Sequence, residues 1–311
     1  MRGSATTITK NKGIDNVKYY KLAPLIKAQQ YEITTKQSFE NATKNKYPYV
    51  QKNNSGGLSY YAFCPICLNP IQLVGLYTSN RKYGKHTGED IKGLGKFNFY
   101  YYRYCPYATN QRVHIDPRER LTDIDDRIKE LYYLIKEQFD RIIYIVEKTL
   151  NIKCSKQFWE NSLNQFMMSE GYLYPWINEA NIPYVFAYLG LQSQNLYGQM
   201  IKNNSALYNK LHSSAELSIV DQGNGYSKIT SKEGCYVLLT VRFLNHIQKA
   251  LEGEELNETI QFCVDKNNND FFSETIQIDN HYFINLINKI DNNNKRNTKL
   301  LQLSEKHMPN I

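Results

Sequence analysis

The residues best suited to chemistry are cysteines in the N-terminal third of the chain. Cys64-Pro65-Ile66-Cys67 places two thiols two residues apart, so a single tight turn can present both to one metal ion. Zinc prefers four ligands at the corners of a tetrahedron, so a second segment must supply the others. Cys105-Pro106 repeats the Cys-Pro start, but Ala108 stands where another thiolate would lie. The spacing therefore predicts Cys64, Cys67 and Cys105 as metal ligands.

The fourth ligand is expected to be a histidine. His86 has 18 residues between it and Cys67 and 18 between it and Cys105, whereas His114 follows Cys105 after eight intervening residues. We prefer His86, because the glycine-rich stretch over 84–95 gives the backbone freedom to present it, and we keep His114 as the alternative. Three thiolates and an imidazole would fill a tetrahedron and leave no position for a reactive water. We therefore expect a structural zinc ion that contributes to folding.

The cysteine pattern, together with its strand-like flanks, resembles the zinc-ribbon class of modules. The flanks are the segments Leu58–Phe63, Ile71–Tyr77 and Phe97–Tyr104. The resemblance covers residues 58–116, and we recognise no family for the whole chain. It implies a structural zinc in a small β-module of a kind that often contacts nucleic acid or another protein, and it implies no activity.

The sequence leaves two alternatives to a metal site open. The cysteines could be buried thiols without a metal, or the Cys-x-x-Cys motif could be a redox pair. Redox motifs of this type begin a helix after a strand, whereas Pro70 and a strand-like segment follow Cys67 here.

Charge divides the chain unevenly. The net charge is +8, yet residues 1–120 hold 19 Lys or Arg against 7 Asp or Glu, and residues 121–311 hold 19 against 23. An asymmetry of this kind indicates an acidic partner such as nucleic acid. A basic surface that is merely solvated is the alternative, and no run of five consecutive basic residues decides between them.

Two groups of residues beside the cysteines could contact nucleic acid. Cations around a glycine-rich loop could bind phosphates through charge and backbone N–H groups, although the phosphate-loop motif is absent, and an ordinary solvated loop is the alternative. Aromatic residues next to a cation in the predicted strand 97–104 could stack on unpaired bases, or they could fill the core of a small module. The candidate contact residues are Arg81, Lys82, Lys85, Lys92, Tyr102, Arg103 and Tyr104.

The remaining sequence predicts an α+β chain. Apolar residues at spacings of three and four predict one amphipathic helix from Thr122 to Leu150, and further helices are expected over 155–168, 176–189 and 195–211. Cys235–Phe243 predicts a buried strand, residues 260–278 predict a hairpin that turns at 265–270, and a short helix is expected over 281–290. We expect five parts: a basic N-terminal region (1–57), the zinc-ribbon-like module (58–116), a helical domain (117–213), a β-rich domain (214–290) and a polar tail (291–311).

No residue cluster assigns a reaction. His114 and Asp116 form only a short pair, and His246 is interpreted as a cap for the turn after a strand. We expect neither a secretory signal nor a membrane span, because the sequence contains no apolar run of the length that either requires. We also expect reduced thiols, because the cysteines are dispersed. We expect a cytoplasmic zinc-containing nucleic-acid-binding protein without membrane contact. Three alternatives stay open: a protein–protein adaptor, a homo-oligomer, and a nucleic-acid-processing effector enzyme of a mobile-element or defence system. The sequence does not decide whether the protein is an enzyme.

Overall fold

The fold is described from a computed structural model of the 311-residue chain. The described residues are 17–78, 81–108, 111–112, 116–250, 256–288 and 296–311, and of residues 111, 112 and 250 only the backbone is described. The chain forms two compact units. Unit 1 comprises Met1–Pro24, Ala28–Gln111 and Lys249–Leu256, and unit 2 comprises Leu25–Lys27, Arg112–Gln248 and Asn257–Ile311. Helices and antiparallel sheets occur together, so the predicted α+β class is confirmed.

Unit 1 is built on an antiparallel sheet of six strands with two short helices. In the sheet the order is β2-β1-β4-β5-β6, and β3 also pairs with β4. Ala62, Ile71 and Leu73 are buried and form part of its core. The elements are β1 (Tyr19–Lys21), β2 (Gln30–Glu32), α1 (Lys36–Thr43), β3 (Val50–Lys52), β4 (Leu58–Phe63), β5 (Pro70–Val74), β6 (Tyr83–His86) and α2 (Phe99–Arg103).

Two of the three predicted strands of the cysteine module exist. Strand β4 has the predicted bounds, and β5 ends at Val74 rather than Tyr77. The strand predicted over Phe97–Tyr104 is wrong, because α2 occupies its centre. The side chain of Asn98 accepts hydrogen bonds from two backbone N–H groups and starts this helix. Strands β1 and β2 belong to the same sheet, which therefore continues N-terminal to residue 58, where we expected the module to begin.

Unit 2 combines helices with two four-stranded sheets of the orders β10-β11-β9-β8 and β14-β13-β12-β7. Its elements are β7 (Gln111–Arg112), α3 (Asp126–Glu137), α4 (Phe139–Leu150), β8 (Ile152–Lys153), α5 (Lys156–Met168), α6 (Ile182–Gly190), β9 (Met200–Lys202), α7 (Ala206–His212), β10 (Leu217–Asp221), β11 (Tyr226–Ser231), β12 (Leu239–Ala250), β13 (Leu256–Lys266), β14 (Asn269–Gln277), α8 (Tyr282–Asn288) and α9 (Thr298–His307). None of the helices within the described ranges has the length and apolar character needed to cross a bilayer.

The helices of unit 2 agree with the sequence predictions in part. The expected helix from 122 to 150 is divided at Gln138 into α3 and α4. The helix predicted over 155–168 is confirmed by α5, and α6 begins only at Ile182 rather than at residue 176. The helix predicted over 195–211 is wrong in its first half, where β9 lies. Its second half forms α7, which Ser205 caps by accepting a hydrogen bond from the backbone N–H of Tyr208.

The C-terminal third contains the predicted hairpin. Strands β13 and β14 pair through a turn at Asn267 and Asn268, which adopt the left-handed conformation that asparagine tolerates. The strand predicted from Cys235 begins instead at Leu239 and continues to Ala250. Residues 298–307, expected in a polar tail, form α9, which packs against α3, α4 and α5.

Candidate metal centre

The side chains predicted as metal ligands converge in unit 1. Cys64, Cys67, His86 and Cys105 are all buried, and their four ligand atoms lie within 4.8 Å of one another. The Sγ atoms of Cys64 and Cys105 are 3.7 Å apart, and His86 Nε2 lies 3.3 Å from Cys67 Sγ and 3.7 Å from Cys105 Sγ. Zinc bond lengths imply tetrahedron edges of about 3.8 Å between sulfurs and about 3.6 Å from sulfur to nitrogen. Three of the six separations are therefore within about 0.3 Å of the edges of a tetrahedral zinc site.

The first two ligands lie on the turn that joins β4 to β5. Cys64 directly follows β4, and its N–H donates to the carbonyl of Asn69 at 2.8 Å, while the N–H of Leu68 donates to the carbonyl of Cys64 at 3.0 Å. Leu68 takes a left-handed conformation with φ 57°. These contacts close the turn tightly and bring the side chains of Cys64 and Cys67 to the same side of it.

The other two ligands come from the end of β6 and from the segment after α2. In the sheet, His86 pairs with Ile71 of β5, which places the imidazole beside the cysteine turn. The N–H of Cys105 donates to the carbonyl of Tyr102 at 3.0 Å, so Cys105 continues directly from the last turn of α2. The preference for His86 as the fourth candidate ligand agrees with this geometry, and His114 lies outside the described residues.

Asn69 connects the cysteine turn to α2. Its side-chain N–H donates to the carbonyl of Asn98 at 3.1 Å, and its side-chain oxygen accepts from the N–H of Asn98 at 2.6 Å. Asn69 is only 1% exposed, and Asn98 is the N-terminal cap of α2. The paired hydrogen bonds therefore fix the start of the helix that leads to Cys105.

Burial and mutual contact set the acidity of the three thiols. Burial raises the pKa of Cys64 and of Cys105, and hydrogen bonds with neighbouring thiols raise the pKa of Cys105 further. At Cys67 burial also acts to raise the pKa. The hydrogen bonds from Cys105 and Cys64 and the nearby His86 outweigh it, so the pKa of Cys67 is lowered. A bound divalent cation would stabilise all three thiolates, since its charge replaces that of their protons.

The donor set determines what this cluster can do. Sulfur and imidazole ligands select soft or borderline ions such as zinc, whereas magnesium and calcium require oxygen ligands. Four protein ligands would complete a tetrahedron, and exposures of 0% to 5% leave no side of it open to solvent. Such a site stabilises structure rather than activating water. The redox alternative is disfavoured because strand β5, and not a helix, follows the cysteine turn.

The loop cations proposed as phosphate contacts lie at several positions of unit 1. Arg81 and Lys85 are exposed, whereas Lys82 is half-buried and donates to the carbonyl of Thr34 at 2.8 Å. Lys92 is exposed on a short loop that is closed by hydrogen bonds between Ile91 and Gly95. The fold thus leaves three of the four predicted cations open to solvent.

The aromatic residues exposed on α2 differ from those that the sequence suggested. Tyr102 is half-buried, and its ring centroid lies 5.2 Å from that of His86, so it covers the candidate ligand. Tyr104 is also half-buried, with the Arg103 guanidinium 5.5 Å from its ring centroid. Phe99 and Tyr100, which we did not single out, are 53% and 62% exposed. If we had predicted a helix for this segment, Phe99 and Tyr100 would have been placed on the helix face opposite the buried Tyr101 and Cys105.

Unit 2 contains a buried polar cluster that the sequence analysis missed. His246 Nε2 lies 2.5 Å from Glu258 Oε1, which also accepts hydrogen bonds from Gln248 at 2.7 Å and Asn181 at 3.1 Å. The prediction that His246 caps a turn is wrong, because it is fully buried within β12. Asn245 has φ 49°, and this kink shifts the alternation of the strand so that His246 faces the core. The cluster is sealed from solvent, because its four side chains are 0% to 3% exposed.

Comparisons of the chain with protein-family models, with curated proteins and with solved structures found no match.

Proposed function

We propose that the cluster of three cysteines and His86 binds a structural zinc ion, and that the protein is a nucleic-acid-binding protein whose unit 1 contacts phosphates. The observation that carries the metal assignment is a set of four buried ligand atoms within 4.8 Å of one another, three of whose separations are close to the edges of a zinc tetrahedron. All six cysteines are free thiols, which fits a reducing compartment such as the cytoplasm.

Zinc would join parts of unit 1 that are remote in the sequence. The ligands belong to the turn after β4, to the end of β6 and to the segment after α2. Binding of structural zinc contributes about 10–16 kcal/mol in small zinc-finger peptides near neutral pH, and in such modules this energy is folding energy. We therefore expect the stability of unit 1 to depend on the ion.

The charge of unit 1 supports a polyanionic partner. Its described residues over 17–24, 28–78 and 81–108 hold 12 Lys or Arg against 4 Asp or Glu. Lysine and arginine that contact phosphates release condensed counterions, which favours binding and makes it depend on salt. Nucleic acid is the polyanion that best fits such a surface beside a small zinc-stabilised sheet.

Two measurements on the full chain test this proposal. Elemental analysis should find one zinc per chain, and replacing the zinc with cobalt should produce the absorption bands of a tetrahedral thiolate site. Fluorescence anisotropy with labelled DNA and RNA should show a steep loss of affinity between about 50 mM and about 200 mM salt. Protein without bound metal would refute the zinc assignment, and affinity that does not change with salt would refute phosphate contact. Cys235→Ser, which removes an exposed thiol outside the cluster, is the matched control for metal content.

A further inference from the structure

Two segments of unit 1 carry positive charge without any acidic residue. Residues 44–52 and 91–103 together contain six Lys or Arg and no Asp or Glu. All six cations are exposed, among them Lys46, Lys92 and Lys96. Among the described residues, no carboxylate lies within ion-pair distance of these three lysines. Their charge is therefore available to a partner.

Direct contacts bring the two segments together. The hydroxyl of Tyr47 donates to the carbonyl of Lys92 at 3.1 Å, and the side chain of Gln51 donates to the same carbonyl at 3.0 Å. Gly93 lies against the Tyr47 ring, and a Cβ at this position would be 2.1 Å from the tyrosine oxygen. Because Gly93 also has φ 74°, glycine is the residue that permits this approach. Lys92 is thereby held beside Tyr47 and Lys46.

Hydrogen bonds also hold the rest of this loop in place as far as the start of α2. The N–H of Ile91 donates to the carbonyl of Gly95 at 2.9 Å, and the N–H of Phe97 donates to the carboxylate of Asp90 at 2.7 Å. Asn98 is then held by the side chain of Asn69. Lys96 and the exposed rings of α2 therefore occupy defined positions relative to the candidate metal centre.

Three aromatic rings are exposed along this path. Tyr47, Phe99 and Tyr100 are 59%, 53% and 62% exposed, and the centroids of the last two rings lie 6.5 Å apart. Exposed aromatic rings next to cations provide surfaces on which bases can stack. Every base can use them, because every base has a flat π-face. In a duplex these faces are covered by neighbouring base pairs, so only an unpaired strand can use the rings.

We propose that this basic aromatic surface, formed by Lys46, Tyr47, Lys92, Lys96, Phe99 and Tyr100, binds single-stranded nucleic acid. Bases stack on the rings while the lysines contact phosphates. The inference rests on the proposed function and adds the class of substrate. Stacking faces and cations are common to DNA and RNA, so the test includes both.

The test uses zinc-loaded full-length protein and labelled oligonucleotides: oligo(dT), oligo(rU) and a duplex of equal length. At one salt concentration, at least one single strand should bind on the order of 10-fold or more tightly than the duplex. Phe99→Ala and Tyr100→Ala should each weaken single-strand binding on the order of 5- to 100-fold, the effect of removing one stacking ring. Tyr236→Ala is the control, because Tyr236 lies in unit 2 and is 84% exposed. Unchanged zinc content would show that each variant is folded.

The lysines are tested separately through the salt dependence. Lys92→Gln and Lys96→Gln should each reduce the slope of log affinity against log salt by about 0.7, the value for one phosphate contact on a single strand. Lys228→Gln removes an exposed lysine of unit 2 and should leave the slope unchanged.

The outcomes separate this inference from the proposed function. Equal binding of duplex and single strands, with no effect of the two ring substitutions, would overturn the single-strand inference while leaving nucleic-acid binding intact. Lack of binding to all three oligonucleotides would overturn both.

Discussion

Replacing Cys105 with serine should selectively destabilise unit 1. Cys105 is 1% exposed and supplies one of the four candidate ligand atoms. If zinc binding contributes about 10–16 kcal/mol, one of four ligands accounts for about 2.5–4 kcal/mol. Whole domains are stable by only about 5–15 kcal/mol, so this loss is a large part of the stability of unit 1. Zinc affinity should fall on the order of 100-fold.

Hydrogen exchange measured by mass spectrometry can localise the effect. A loss of about 2.5 kcal/mol raises exchange about 60-fold wherever exchange requires unfolding of unit 1. We expect this change in β4, β5, β6 and α2, while helices α3 to α6 keep their exchange rates. Titration with a coloured chelator measures the accompanying loss of zinc affinity.

A matched substitution distinguishes loss of the metal from loss of a buried thiol. Cys263 is 4% exposed and lies in unit 2, so Cys263→Ser should leave both zinc content and exchange in unit 1 unchanged. If Cys105→Ser instead retains wild-type zinc affinity and wild-type exchange in unit 1, the four-ligand assignment is refuted.

Three further predictions concern unit 2. Glu258→Ala should destabilise it by about 3–5 kcal/mol in urea unfolding, because His246 loses its buried partner, and Glu258→Gln, which keeps an acceptor oxygen, should cost less. Although burial raises the pKa of Asp140, hydrogen bonds from Arg296 and from a backbone N–H outweigh it, so the pKa lies below the usual 3.8. Above pH 3.8 the ionised carboxylate therefore stabilises the fold, and this stabilisation is lost as the pH falls through the lowered pKa. In thermal unfolding at neutral pH, Asp140→Asn should be less stable than wild type. In strong acid the difference should vanish. Gly190→Ala would place a Cβ 2.7 Å from a backbone oxygen of α5, so α5 and α6 would have to move apart. This should lower the free energy of unfolding by about 1–3 kcal/mol, which a reduced melting temperature would show.

The candidate metal ligands were predictable because their chemistry is local in the sequence. Cys64 and Cys67 share one turn, and few histidines are available to complete a site with Cys105. The conformation of the segment leading to Cys105 was not predictable from residue preferences. Its run of aromatic residues favours a strand, yet the Asn98 cap and the buried Tyr101, four residues before Cys105, produce a helix.

In unit 2, periodicity revealed helices but not where they end. The apolar spacing continues across Gln138, so the sequence predicts one helix where the structure has two. In α9, Leu300 and Leu303 are buried, but a stripe this narrow among polar residues does not distinguish a packed helix from a tail. The pairing of His246 with Glu258 depends on strand geometry and on the kink before His246, which composition alone does not show.

The geometry also separates the role of the metal from that of the proposed binding surface. The four candidate ligand atoms are buried, so an ion held there would not touch a nucleic acid directly. Its influence would pass through α2, whose start is held by Asn69 and whose end leads directly into Cys105. A helix of five residues is not stable alone, so the orientation of Phe99 and Tyr100 depends on both attachments. Loss of zinc and substitution of Phe99 or Tyr100 should therefore both impair base stacking, because both act on α2. Substitution of Lys92 removes one positive charge and leaves α2 in place.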